Sequence, residues 1–123
     1  MSILTETNHA GGFLVWEVLR DYTRETVTIA SGAGKLEPGT VLGKITTGGK
    51  FTKLTPAATN GSQNAAGILW AGVDTSAADS PGVVVLRGPA LVNRYEIIWP
   101  EGASEAQISA ATTALGALGI ILR

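Results

Sequence analysis

NRYEIIWPEGASEAQISAATTALGALGIILR, residues 93–123, is the stretch whose reading decides the fold. Its middle carries a helix start written in local chemistry. Ser104 stands three residues before Gln107, the spacing of a capping box. In that arrangement the serine hydroxyl accepts from the Gln107 backbone N–H, and the glutamine amide reaches back to the N–H of Ser104. Ala103 and Ile108 occupy the positions of a hydrophobic staple. Ile108, Ala111, Leu115 and Leu118 then recur at helical spacing, which predicts a helix over about residues 104–118 with one apolar stripe. Gly119 is placed to take the left-handed conformation that closes a helix. Upstream, Tyr95, Ile97 and Trp99 alternate with Glu96 and Ile98, a period-two pattern that predicts a strand. Pro100 stops it, because proline has no N–H to give a ladder. Downstream, Ile120, Ile121 and Leu122 predict a short closing strand.

Working outward from this core, the rest of the chain reads as short strands separated by turns. Residues 13–19 (FLVWEVL) form a nearly continuous apolar run, and residues 25–30 (ETVTIA) set Val27 and Ile29 on one face. Pro38-Gly39 fits the two central positions of a type II turn. Residues 41–46 and 50–54 flank Gly48-Gly49 as a hairpin. A polar loop over 55–64 leads to a strand over 65–73, a loop over 74–82 and a strand over 83–86 that Gly88-Pro89 ends. Residues 1–12 (MSILTETNHAGG) have no period and end in Gly11-Gly12, which loosens the backbone. The expected organisation is a β-rich α+β domain over residues 13–123 with one C-terminal helix and an extended N-terminal arm over residues 1–12.

Composition narrows the function. Nine Lys and Arg against ten Asp and Glu give a net charge of −1, and charged residues make up 15% of the chain where about 25% is usual. The cations form no stripe, which argues against a nucleic-acid groove. No apolar run reaches the ~18 residues of a membrane span, and the first residues do not have the pattern of a signal peptide. With no cysteine there is neither a disulfide framework nor a thiolate metal site. A chain 45% hydrophobic and this weakly charged is expected to hide part of its surface against partners.

Catalytic constellations are thin. Gly32-Ala33-Gly34 lacks the third glycine and the following helix of a phosphate loop, so it reads as a turn. His9, the one histidine, lies in the arm with only Glu6 near it. Asp74 and Asp79 share a loop without calcium-ligand spacing. Ser31, Ser62, Ser76, Ser80 and Ser104 include no nucleophile elbow. The expectation is a protein that is not an enzyme and carries no cofactor or metal. Trp16, Trp70 and Trp99 all fall in expected strands, where core packing is the first reading. One of the three is expected at a subunit contact, and Trp99 with Pro100 is the choice, because a strand end is more exposed than its middle.

Several pieces in order, Arg94-Tyr95-Glu96, Trp99-Pro100-Glu101, Ala103-Ser104-Glu105, GKLEPGTVLGKIT at residues 34–46 and PAATNGSQNAAGIL at residues 56–69, resemble the lambda-type phage head decoration proteins, from about residue 25 to the end. The resemblance implies a small β-clip-type fold and a homotrimer. Such a trimer binds the outside of the expanded head at threefold and quasi-threefold axes and stabilises the shell against internal DNA pressure. Its partner would be the major capsid protein, its place the virion surface, and its assembly the host cytoplasm; neither nucleic acid nor a membrane is a partner. Ser2, Ile3, Leu4, Thr5, Glu6, Thr7, Asn8, His9, Ala10, Gly11 and Gly12 would then be the capsid-contacting arm, which in this family orders on the capsid and can extend a capsid sheet. The arm here is short and without the Pro/Ala/Thr-rich character of the lambda-type arm. The alternatives are a structural adaptor of a phage tail or fibre and, further off, a small β-clip enzyme.

Overall fold

A computed structural model describes residues 10–123, and among these described residues there are ten short strands and two helices. Five strands, β2 (Arg24–Ile29), β4 (Val41–Lys44), β5 (Phe51–Lys53), β6 (Ala65–Leu69) and β8 (Ser80–Val85), close into a barrel in the order β2-β5-β4-β6-β8. A second sheet lies beside it: β1 (Leu14–Glu17) antiparallel to β9 (Ala90–Val92), and β10 (Ile120–Leu122) parallel to β9. The pair β3 (Lys35–Leu36) and β7 (Val73–Asp74) completes the set.

Period-two alternation explains why the barrel strands are apolar on both faces. Leu42, Leu69 and Val84 point into one buried cluster with Ile29, Leu36 and Phe51. Their neighbours Val41, Ile68 and Val85 point into the other, with Phe13, Leu54, Ala90, Val92, Ala111, Leu115 and Ile120. The barrel wall is thus buried on both sides, one core inside it and one beneath the helix and the second sheet.

The expected helix is α2 (Glu105–Ala117), and both bonds of the capping box form: the Gln107 N–H donates to Ser104 Oγ at 3.2 Å and the Ser104 N–H to Gln107 Oε1 at 2.9 Å. Ala111 and Leu115 are its buried residues, and Ala114 packs beside them, so small side chains let the helix lie close to the sheets. Gly39 and Gly119 take φ of +94° and +90°, as the turn and the helix end require. The hairpin of β4 and β5 forms in register, Leu42 opposite Lys53 and Lys44 opposite Phe51.

Four expectations are corrected. Residues 95–99 are not a strand. Only an isolated bridge from Thr40 to Ile98 forms there, and Tyr95 is 89% exposed while Ile97 is buried. Alternation without a neighbouring strand to bond makes no ladder. The expected strand over 65–73 breaks after Leu69, where the Trp70 N–H turns to the Val83 carbonyl and Val73 pairs with Leu36 instead. The strand expected from residue 83 begins at Ser80, with Pro81 opposite Thr28. Finally, a single helical turn, α1 (Arg20–Thr23), separates β1 from β2, made by the N–H groups of Tyr22 and Thr23 donating to the Leu19 carbonyl.

Candidate interaction surfaces

Three surface features stand out, and the first is an apolar face. Among the described residues β1 bonds β9 alone and lies at the edge of its sheet. Its register shifts between Leu14 and Trp16, a bulge that leaves Leu14 opposite Val92 over the core and turns Trp16 outward opposite Leu91. Ile121 pairs with Leu91 from the other side, so Trp16, Leu91 and Ile121 form one row across the outer face of the three strands. Trp16 is 51% exposed and Ile121 45%. The apolar run at residues 13–19 therefore splits: Phe13 enters the core, while Val15, Trp16, Val18 and Leu19 face solvent. The reading of Trp16 as core packing is corrected, because the bulge reverses the side on which it emerges.

The second feature is the root of the N-terminal segment. The Gly11 N–H donates to the Trp70 carbonyl at 2.9 Å, and the Leu14 N–H donates to the Gly11 carbonyl at 3.0 Å. Gly11 has φ of +67°, and a Cβ there would fall 2.0 Å from the Trp70 ring, so no larger residue fits without displacing the indole. The Arg24 guanidinium lies 3.4 Å from the centroid of the Trp70 ring, a close cation–π contact, and Phe13 meets the ring edge-on. Arg24 in turn donates through its Nε and Nη2 to the two carboxylate oxygens of Glu17, which also accepts from the Thr23 hydroxyl at 2.6 Å. Glu17, Arg24, Trp70 and Gly11 thus form one continuous stack. Rather than a loose joint, the Gly11 position is a docked one.

Burial pushes the Glu17 carboxyl up, but hydrogen bonds from Arg24 and Thr23, with the charges of Arg24 and Arg20, outweigh it and hold the group below its ordinary value. A pKa depressed by folding stabilises the protein above the unfolded-chain value of about 4.3, and that stabilisation is lost as pH falls through the folded value. Glu17→Gln is therefore expected to cost about 1–3 kcal/mol at pH 7. The difference from the unchanged protein should narrow as pH falls below the unfolded-chain value and through the lower folded one. Urea denaturation over an acid pH series measures this; a difference that does not narrow anywhere on acidification would show that the charge on Glu17 is not what is lost.

The third feature is a groove of about 230 Å³ where Trp99 and Pro100 line one wall, with Leu36, Thr40, Val41 and Leu54 among the rest. Trp99 is half-buried and packs against the main core. Of the expected arm, Ser2 to His9 lie outside the described residues, Ala10 is exposed, and Gly11 is docked as above. The docked root and the Trp99 groove are separate features with different lining residues. Sequence reasoning missed the partnership of Glu17 and Arg24 with Trp70, because Trp70 lies far along the chain from the other two. Among the described residues, no helix is long and apolar enough to cross a membrane.

Comparison with known proteins bears on what these surfaces serve. The family model described as bacteriophage lambda head decoration protein D matches residues 3–120, nearly the whole chain. No curated protein matches.

Proposed function

The chain belongs to the bacteriophage lambda head decoration protein family, structural components of the phage capsid, and from that premise we propose how it decorates the head. It acts as a homotrimer on the outer surface of the expanded shell, at threefold and quasi-threefold axes. There it clamps neighbouring copies of the major capsid protein against the outward push of packaged DNA, after assembly in the host cytoplasm. Residues 2–12 are the capsid-contacting arm of a domain that spans residues 13–123. Trp99 and Pro100 contribute to the subunit contact. The observation that carries this reading is the family match over residues 3–120. The low charge and the open apolar side chains support the multimeric part of it.

Multivalency supplies the mechanism. Once one arm of a trimer is bound, the others search a small volume, so each later contact is effectively intramolecular. A ligand that binds the expanded lattice and not a ruptured one stabilises the former by mass action.

Two measurements test the proposal. Purified protein should co-sediment saturably with expanded, undecorated shells of the cognate phage, in multiples of three copies per site, and not with unexpanded shells. Absence of binding to either shell would favour a tail or fibre adaptor. Light scattering at micromolar concentration should return the mass of three chains; the mass of one chain would count against the trimer.

A further inference from the structure

We infer that the outer face of the β1-β9-β10 sheet, centred on Trp16, Leu91 and Ile121, is a surface through which one copy of this chain packs against another. The inference rests on the homotrimer proposed above and names the face that carries it.

Contiguity is the first observation. Trp16, Leu91 and Ile121 are register partners across three strands. The Val18 N–H donates to the Pro89 carbonyl, and the Gly88 N–H to the Leu118 carbonyl, which brings Val18 and Leu118 to the same end of the sheet. Val15, on the bulge, is 61% exposed, Val18 48% and Leu118 37%. Taken with Leu19 and Tyr22 on the adjoining turn, on the order of 600 Å² of mostly apolar side chain lies open, the upper end of what a typical monomer shows. That area is most of the roughly 800 Å² each partner gives to an interface of standard size.

The free state decides the occupant. A protein that adds to a preformed shell must first exist in solution without it. With only 15% charged residues to keep it dispersed, a face of this size left bare would drive nonspecific association. A capsid partner cannot cover the face before docking, whereas a second copy of the chain is present from synthesis. The bulge also blunts the edge of β1 against indefinite strand-to-strand growth, which favours a closed side-chain contact. A cyclic assembly joins two unlike patches, so this row needs a different surface on the next copy.

Trp16→Glu and Ile121→Glu test the inference, each changing a side chain that is about half exposed in the single chain, so the fold is retained. Sedimentation equilibrium without shells should show the unchanged protein at three chain masses and each variant about threefold lighter, with an unchanged circular dichroism spectrum. Trp16→Phe should keep the multimer. Variants that remain multimeric overturn the inference whether or not the unchanged protein binds shells. Variants that remain multimeric yet lose shell binding overturn it too, and reassign the face to the capsid. Monomeric variants of a protein that binds no shell would uphold this face and sink the decoration reading instead.

Discussion

Leu115→Ala is expected to destabilise the domain by about 3–5 kcal/mol, the upper part of the range for leucine truncations in a core. Leu115 is fully buried, in the cluster that joins the barrel wall, through Ile68 and Val85, to Ala90, Val92 and Ile120 of the second sheet. Two things resist collapse of the cavity. The helix is fixed at its start by the capping box and at its end by the Gly88 and Ala90 N–H groups donating to the Leu118 and Gly119 carbonyls. Ala111 and Ala114, which share this core from the same helix, are too small to fill the void. Set against a typical total of about 5–15 kcal/mol, the loss would leave a marginal domain. Thr113→Ala is the control, in the same helix but exposed, with an expected cost below about 1 kcal/mol. Urea denaturation at one fixed protein concentration compares the two, since dissociation of a multimer would otherwise enter the midpoint. A loss below about 1 kcal/mol for Leu115→Ala would mean that the helix does not seal the second core.

What the sequence disclosed follows the range of the interactions. The capping box, the Pro38-Gly39 turn and the β4–β5 hairpin are fixed by residues within a few positions of one another, and all three were legible. The strand expected at residues 95–99 failed because alternation is necessary but not sufficient; the ladder needs a partner, and only Ile98 finds one. The α1 turn is four residues long, too short for any helical period to show. Trp16 is the deeper case. A side chain that packs against its own core and one left open to a partner read alike in FLVWEVL, and only the bulge at Leu14 and Trp16 separates Phe13 from its neighbours. The stack from Glu17 through Arg24 and Trp70 to Gly11 was illegible for another reason: its members are ordinary one by one, and the barrel brings them together.

Removal of residues 2–9 is expected to abolish binding to expanded shells while leaving the fold and the multimer intact. The cut stops short of Gly11, so the hydrogen bond to Trp70 and the turn into β1 survive. If each arm contributes one weak contact, three linked arms exceed the affinity of any single one by about 10²–10⁴-fold, and a trimer without arms forfeits all of that gain. Binding that is saturable at micromolar concentration should then fall below detection, with the solution mass reduced only by the residues removed. The proposed mode of docking makes a sharper forecast. An arm that adds a strand to a capsid sheet draws its affinity mainly from main-chain hydrogen bonds. Side-chain truncations such as Leu4→Ala should therefore weaken binding only modestly, whereas Thr5→Pro, which removes a backbone donor and fixes φ, should approach the effect of the deletion. Co-sedimentation of the three variants with expanded shells decides the matter. Undiminished binding by the truncated protein would move the capsid contact onto the domain itself. A Leu4→Ala effect larger than that of Thr5→Pro would replace strand addition with an apolar anchor seated in a capsid pocket.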